Sequence, residues 1–120
     1  MILVSTRELA MQVTNEIRKL SKYTGIRTLA VYGGQSMSLQ MSQLKRGVQV
    51  VVATPGRLID HLKRGSILLE DVKFVVLDEA DKMLNMGFVD DIKFILFYMH
   101  EDRQTCLFSA TIFLEISRFA

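Results

Sequence analysis

The chain has 120 residues, of which 49% are hydrophobic, so it can form the core of one domain and does not have the composition of a disordered protein. Its formal net charge is +2, and its single cysteine, Cys106, excludes an internal disulfide. The apolar run after Met1 is too short for a signal peptide, and no later run could span a membrane. We therefore expect a cytoplasmic protein, or a nuclear one in a eukaryote, without a membrane partner.

In chain order, the patterns predict strand 2–4, helix 7–23, strand 28–32, helix 38–45, strand 48–53, a helix from 54 to about 65, strand 73–78, a helix with its apolar stripe over 88–99, strand 104–109 and a last helix over 112–119. This alternation predicts an α/β fold: a parallel sheet with helices on both faces. Right-handed crossovers would bring the carboxyl ends of the strands to one edge, where ligands of such sheets bind.

Charge is unevenly distributed along this predicted fold. Residues 1–66 contain ten Lys or Arg and three Asp or Glu, whereas residues 67–120 contain five and ten. A basic half suits a polyanion, and an acidic half suits a divalent cation. Solvated helix faces would give the same counts, so charge alone leaves both interpretations open.

Acidic residues directly follow the fourth predicted strand. Asp78 can be held rigidly there and could bind Mg²⁺ together with phosphate oxygens. Glu79 could orient or deprotonate an attacking water. Acids are also common in the first turn of a helix, where they meet its positive end, and Asp81 in particular could be no more than that.

The loops after the first three strands combine hydroxyl groups, glycines and arginines. Backbone amides and cations at such an edge suit a sugar–phosphate backbone, with little sequence specificity. Six residues carry this prediction: Thr6, Arg7, Gly34, Thr54, Gly56 and Arg57. Thr54 also predicts an N-cap, with Pro55 at the first helical position, and ordinary capping and turning remain an alternative for each loop.

The remaining reactive residue types give weaker signals. Ser109 and Thr111 could simply begin a helix, as Ser and Thr often do. His61 and His100 lack metal-ligand spacing, and we expect them to be exposed or capping residues. Cys106 lies inside a predicted strand and is expected to be a small core residue.

Taken together, the order and spacing of five motifs resemble the DEAD-box RNA helicases: TRELA at 6–10, GG at 33–34, TPGR at 54–57, DEAD at 78–81 and SAT at 109–111. The resemblance covers essentially the whole chain and implies that residues 1–120 are part of the first of two RecA-like domains. It implies a fragment of an ATP-dependent RNA helicase, with RNA, ATP and Mg²⁺ as partners. A fragment of a DNA-directed helicase is the runner-up.

The resemblance also implies a role for each motif. Asp78 and Glu79 would handle the magnesium–ATP and the hydrolytic water, with Asp78 as the metal ligand. Ser109 and Thr111 would couple hydrolysis to strand separation by contacting Asp81. The six loop residues named above would hold the RNA backbone.

Two departures from the family pattern shape the expectations for this chain. Ser5 stands where the family usually has Pro, a mild change. No G-x-x-x-x-G-K-[S/T] loop occurs, and neither does the glutamine-containing segment that reads adenine in the family. We therefore expect the chain alone to be catalytically inactive and to bind no cofactor; a stand-alone RNA-binding module is the alternative.

Since the family places a further strand beside residues 104–109, we also expect an exposed apolar edge there, leading to a homodimer, strand exchange or poor solubility.

Overall fold

The computed structural model describes residues 1–111 and 114–119, which form an α/β fold. Strands and helices alternate through most of the chain: β1 Ile2–Leu3, α1 Arg7–Leu20, β2 Thr28–Val31, α2 Met37–Arg46, β3 Val50–Ala53, α3 Pro55–Arg64, β4 Phe74–Leu77, α4 Ala80–Asn85, α5 Val89–Phe97, β5 Gln104–Leu107 and α6 Leu114–Ser117. Among these residues, no helix has both the length and the apolar character needed to cross a membrane.

All five strands are parallel, in the order β2-β3-β1-β4-β5. The short β1 lies at the centre, where Leu3 pairs with Ala53 on one side and with Leu77 on the other. The predicted parallel sheet is therefore confirmed. Its carboxyl edge presents the loops after β2, β3, β1, β4 and β5 in that order.

Helices cover the two faces of the sheet to different extents. On one face, α2 to α6 pack over a large core that includes Leu3, Val75 and Leu77. On the other face, α1 packs over a smaller core around Val4 and Val52. Residues alternate between faces along a strand, so the neighbours of Val75 and Leu77 point towards the α1 side.

The α1 side of β4 and β5 is poorly covered. Phe74 points to this side and is 61% exposed. Phe108, just after β5, is 58% exposed, and Cys106 is partly exposed rather than the core residue we expected. In the part of the chain that the structure describes, β5 is also the last strand of the sheet. An uncovered apolar edge is thus present, as predicted from the sequence.

The helix bounds differ from the predictions mainly after β4. The DEAD segment leads directly into α4, and Gly87, with φ +82°, separates α4 from α5. A left-handed residue ends a helix, and glycine adopts that conformation without strain. The predicted start of the last helix, at Ile112 and Phe113, lies outside the described residues, and α6 covers Leu114–Ser117.

Candidate functional site

The predicted site residues all follow carboxyl ends of strands, and the sheet order divides them into two groups. The basic loops, residues 5–8, 33–35 and 54–57, follow β1, β2 and β3. The acidic junction, residues 78–81 and 109–111, follows β4 and β5. Because β1 lies between β3 and β4, the two groups meet at the centre of one edge.

Within the basic loops, the residues that begin α1 contact the loop after β2. Thr6 is the N-cap of α1, and its Oγ1 accepts a hydrogen bond from the Leu9 amide at 3.2 Å. The Arg7 guanidinium lies over the Tyr32 ring, with Cζ 5.6 Å from the ring centroid. This stacking holds a cation at the edge while its N–H groups stay available for an anion.

Gly34 makes this close approach possible. Its φ is +83°, and a Cβ added there would lie 3.2 Å from Nη1 of Arg7. A side chain at this position would strain the backbone and push Arg7 away. The structure therefore brings Arg7 and Gly34 together, as expected for residues of one binding surface.

At the start of α3, Pro55 is buried whereas Gly56 is exposed. Thr54 is the N-cap residue of α3 and Pro55 begins the helix, as predicted, although the Thr54 side chain makes no capping hydrogen bond. Its backbone N–H donates to Val31 O at 3.0 Å, which fixes the loop to β2. A Cβ at Gly56 would meet no atom within 4 Å. A ligand can thus approach the first turn of α3 closely.

Arg57 is held from below by a buried hydrogen-bond network. Its Nη1 donates to Gln35 O at 3.0 Å and to Gln40 Oε1 at 3.2 Å. Gln40, only 5% exposed, donates from Nε2 to Tyr32 O at 3.1 Å and accepts from His61 Nε2 at 2.9 Å. Gln40 therefore links α2, α3 and the loop after β2, and positions Arg57 at the edge.

His61 is fully buried, so the expectation of an exposed or capping histidine is wrong for this residue. The Gln40 carbonyl oxygen can only accept, which places the proton of neutral His61 on Nε2. Nδ1 then accepts from the Ser66 hydroxyl at 2.7 Å. Burial, followed by the charges of Arg57 and Arg64, lowers the pKa of His61 below its usual 6.5. The ring is therefore neutral at pH 7 and suits its place in the network.

Asp78 and Glu79 sit at the centre of the edge. The Asp78 amide donates to Leu3 O at 3.0 Å, and its Oδ1 accepts from the Glu79 amide at 3.0 Å. Glu79 has φ +50° and ψ +49°, a left-handed conformation that is strained for a side chain with a Cβ. Its carboxylate pairs with Lys82 Nζ at 3.3 Å. Residues with strained backbones are common at functional sites, so the conformation of Glu79 supports placing this turn in a functional site.

Asp81, Ser109 and Thr111 form a closed ring of hydrogen bonds between β4 and β5. The Asp81 amide donates to Ser109 Oγ at 3.2 Å, and Ser109 Oγ donates in turn to Thr111 O. Thr111 Oγ1 donates to Asp81 Oδ2 at 3.1 Å. Asp81 is thus both a first-turn residue of α4 and the point where the two segments join. A role of this ring in coupling stays a prediction.

The ring also sets the protonation of Asp81. Burial, the largest single contribution, would raise the pKa of this carboxyl. Hydrogen bonds from Thr111, from the Lys82 amide and at Ser109 outweigh it and lower the pKa below 3.8. Asp81 is therefore a carboxylate at neutral pH, and it accepts the Thr111 hydroxyl in its charged form.

The acidic junction offers carboxylates of the kind that contribute to a magnesium site. Among the described residues, no group of three or more His, Cys, Asp or Glu side chains surrounds a common point. Mg²⁺ often takes one or two protein carboxylates and completes its shell with water and phosphate oxygens. Asp78, with one oxygen still free of the Glu79 amide, fits this kind of ligand set.

Sequence reasoning missed the residues beneath the basic loops. Gln40 and His61 hold Arg57 in place, and Tyr32 supports Arg7. Gln40 did carry a signal, because it lies three residues after Met37 and four before Leu44, on the stripe of α2 that faces the core. A polar residue on a buried stripe predicts a buried hydrogen-bond partner.

Comparisons with known proteins agree with this geometry. The DEAD/DEAH box helicase family profile matches residues 1–119. The ATP-dependent RNA helicase CshA of Listeria monocytogenes is 54% identical over 112 residues, which cover 93% of this chain and 22% of that protein. The DEAD-box ATP-dependent RNA helicase CshA of Geobacillus kaustophilus is 50% identical over 120 residues, covering 100% of this chain and 26% of that protein.

Solved structures give the same result. A hypothetical ATP-dependent RNA helicase from Sulfolobus tokodaii superposes with a TM-score of 0.91 at 44% identity, covering 98% of this chain and 35% of that one. The yeast DEAD-box splicing factor Prp28 superposes with a TM-score of 0.92 at 36% identity, covering 99% and 29%. The chain therefore spans about a quarter of the length of the curated relatives that it matches.

Proposed function

The chain belongs to the DEAD/DEAH box helicase family, and we propose that it supplies an ATP-dependent RNA helicase with an RNA-backbone surface and with the carboxylates that face magnesium–ATP. The observation that carries this proposal is the placement of the basic loops and the acidic junction along one sheet edge. Ligands of parallel sheets bind at this edge, so both functions can act on neighbouring ligands.

The basic loops form the RNA-binding part of this proposal. Arg7 and Arg57 each have guanidinium N–H groups beyond those used internally, and Gly34 and Gly56 leave room for a phosphate close to the backbone. Thr54 adds a hydroxyl without a capping partner. None of these groups is arranged to read base edges, so we propose backbone contacts with little sequence specificity.

The acidic junction forms the nucleotide-facing part. Asp78 would hold the magnesium ion, which supplies charge neutralisation of the phosphates when bound. Glu79 would orient or deprotonate the hydrolytic water, and Asp81, Ser109 and Thr111 would transmit the state of this site from β4 to β5. The 120 residues contain no Gly–Lys pair, and hence no loop of the G-x-x-x-x-G-K-[S/T] type. We therefore propose that they do not turn over ATP unaided.

This assignment extends to the architecture and location of the parent protein. We propose that the chain is part of the first of two RecA-like domains, supported by the motif order from TRELA to SAT. We propose the cytoplasm, or the nucleus in a eukaryote, supported by the single unpaired cysteine.

We also propose that the edge of β5 pairs with another strand. Cys106 is partly exposed and Phe108 is 58% exposed on the sheet face that α1 leaves uncovered. An edge of this kind pairs readily with a second chain. In the isolated 120-residue chain we expect a homodimer, and Phe108→Lys should shift it towards monomer in light scattering over a concentration series. A wild-type chain that is monomeric at all concentrations would contradict this pairing.

RNA binding tests the main proposal. The purified chain should bind a single-stranded RNA at low salt, and the affinity should fall linearly on a log–log plot as salt rises. Arg57→Gln and Arg7→Gln should each weaken binding about tenfold, because each removes a charged hydrogen-bond donor to phosphate. Lys93→Gln on α5 is the matched control: it removes one positive charge from an exposed position outside the basic loops.

Three results would count against the proposal. Failure to bind RNA at 20 to 50 mM salt, roughly the range where backbone contacts dominate, would exclude the RNA-binding part. Equal losses in Lys93→Gln and Arg57→Gln would show that the contact is not localised to the basic loops. ATP turnover above that of a Glu79→Gln variant would contradict the proposed inactivity of the chain alone.

A further inference from the structure

A basic cavity lies at the opposite edge of the sheet from the site described above. Its volume is about 270 Å³, and it opens between the end of α1, the end of α2 and the amino ends of β2 and β3. Eight residues line it: Arg18, Ile26, Arg27, Thr28, Gln43, Arg46, Gly47 and Val48. The basic loops follow the carboxyl ends of the strands, so this cavity is a separate location.

The charge of this cavity is entirely positive. Three of its eight lining residues are arginines, and none is acidic. In the part of the chain that the structure describes, ion pairs within 4.0 Å join Lys19 to Glu16 and Lys82 to Glu79, and none involves these arginines. All three arginines are exposed, and their like charges make this opening a favourable place for an anion.

Two of the arginines are held in place by backbone carbonyls. Arg18 Nη2 donates to Thr28 O at 3.1 Å, and Arg27 Nη2 donates to Arg46 O at 3.2 Å. The main chain of Arg27 is itself fixed, because its amide donates to Gln49 Oε1 at 2.8 Å. Each guanidinium has five N–H donors, so most donors of Arg18 and Arg27 remain available to a ligand.

Helix-dipole stabilisation does not explain the whole arrangement. Arg18 and Arg46 lie in the last turns of α1 and α2, where basic residues favourably meet the negative helix ends. Arg27 lies in the loop before β2, outside any helix, and Thr28 begins the strand. At about 270 Å³ the cavity has room for a tetrahedral anion.

We propose that this cavity binds a phosphate group, held by Arg18, Arg27 and Arg46. Guanidinium groups recognise phosphate through paired N–H donors, and three of them neutralise a phosphate dianion. The phosphate could be carried by an RNA strand or be a free anion, and the experiment below separates these sources.

The test is an amide NMR titration of the 120-residue chain with inorganic phosphate at constant ionic strength, with chloride as the reference anion. We expect saturable shifts at Arg27, Gly47 and Val48, and no comparable shift at Gly33 or Gly56. Arg46→Gln should weaken binding about tenfold. This variant should fold normally, because the Arg46 side chain makes no hydrogen bond within the described structure.

Arg27→Gln is the second variant, because it removes another of the three guanidinium groups that line the cavity. Binding of phosphate should again weaken about tenfold. Arg64→Gln is the matched control: this arginine also lies in the last turn of a helix, α3, but does not line the cavity. Its affinity for phosphate should be that of the wild type.

The source of the phosphate follows from competition. Displacement of inorganic phosphate by an RNA with a 5′-phosphate, but not by its 5′-hydroxyl counterpart, would identify a terminal phosphate. Displacement by both RNAs would identify backbone phosphates as the ligand. If neither RNA displaces inorganic phosphate, the ligand is a free anion. The proposal is overturned if phosphate produces no saturable shift, if Arg46→Gln and Arg27→Gln bind as the wild type does, or if a short acidic peptide binds the cavity more tightly than any phosphate.

Discussion

The basic loops and the acidic junction share one sheet edge but hold their side chains in different ways. Arg57 is positioned by Gln40, which is 5% exposed and bonded to the fully buried His61. Asp81 is positioned by the hydroxyls of Ser109 and Thr111 near the surface. The first arrangement is anchored in the core, whereas the hydrogen bonds of the second lie near the surface.

The coverage of the sheet shows the same contrast. The strands below the basic loops are buried on both faces, with Val51 and Val52 on opposite sides of β3. β4 and β5 are covered on one face only, and Phe108 is exposed on the other. The comparison separates a basic surface anchored in the core, proposed above to bind the RNA backbone, from an acidic junction on a less covered part of the sheet.

The largest expected effect comes from replacing Gln40, which supports the basic loops but not the acidic junction. Gln40→Leu leaves the carbonyl of Tyr32 and the Nε2 proton of His61 unpaired in the core, and it removes one of the two hydrogen bonds that hold Arg57. We expect a loss of about 3 kcal/mol in the free energy of unfolding, since each buried unpaired group costs about 1–3 kcal/mol. Urea denaturation measures this loss.

The control for this prediction is Gln12→Leu, which changes an exposed glutamine on α1 in the same way. It should alter the free energy of unfolding by less than about 0.5 kcal/mol. If both variants were equally stable, the network beneath the basic loops would not be the rigid support that the structure indicates.

The same network shows what the sequence could and could not predict. The sequence predicted the alternation of strands and helices, the parallel sheet and the placement of the motif loops at its carboxyl edge. These features follow from the spacing of apolar residues and from loop composition, which are local properties of the sequence. The pairing of Gln40 with His61 does not, because it joins residues 21 positions apart on two helices whose packing only the fold determines. The missing side-chain cap at Thr54 was unpredictable for a related reason: capping depends on a rotamer, not on residue type alone.

The second prediction concerns the backbone strain at Glu79 in the acidic junction. Glu79→Gly and Glu79→Ala both remove the carboxylate and the ion pair with Lys82, but only glycine adopts φ +50° without strain. We expect the Gly variant to be more stable than the Ala variant by about 1 kcal/mol. Thermal unfolding of the two proteins measures the difference.

Leu84→Gly and Leu84→Ala give the matched pair for this comparison, because Leu84 lies inside α4 with an ordinary helical backbone. There the order should reverse, and glycine should be the less stable variant by about 1 kcal/mol. An Ala variant at Glu79 as stable as the Gly variant would mean that the left-handed conformation stores no strain.

His61, beneath the basic loops, and Asp81, in the acidic junction, should contribute to stability in different pH ranges. The pKa of His61 is lowered in the folded state by burial and then by Arg57 and Arg64, so the unfolded chain binds this proton more tightly. The stability that neutral His61 contributes is therefore complete above about pH 6.5 and is lost as pH falls towards the folded pKa.

His61→Gln removes the titrating ring and should flatten the stability profile between about pH 7 and 5. His100→Gln, at an exposed position, is the control and should retain the wild-type slope. Urea midpoints measured across this range test the difference. A wild-type midpoint that stays constant from pH 7 to 5 would show that His61 is not held neutral by the fold.

The smallest expected effect concerns Asp81. Burial, the largest single contribution, would raise the pKa of this carboxyl in the folded state. Hydrogen bonds from Thr111, from the Lys82 amide and at Ser109 together outweigh burial, so the pKa is lowered. Thr111→Val removes one of these donors, so the pKa of Asp81 should rise, as a carboxyl titration by NMR would measure. The contribution of a lowered carboxyl pKa to stability is present above its unfolded value of about 3.8 and lost as pH falls below it.

The control for this titration is Thr24→Val, which removes a hydroxyl bonded to Ser21 O, far from Asp81 in the chain. An unchanged pKa in Thr111→Val would mean that the hydroxyl does not bond the carboxylate in solution. A raised pKa would show that the charge of Asp81 depends on the segment after β5. Any ligand that moves that segment would then alter the first turn of α4, which is the physical basis for treating this side of the edge as responsive.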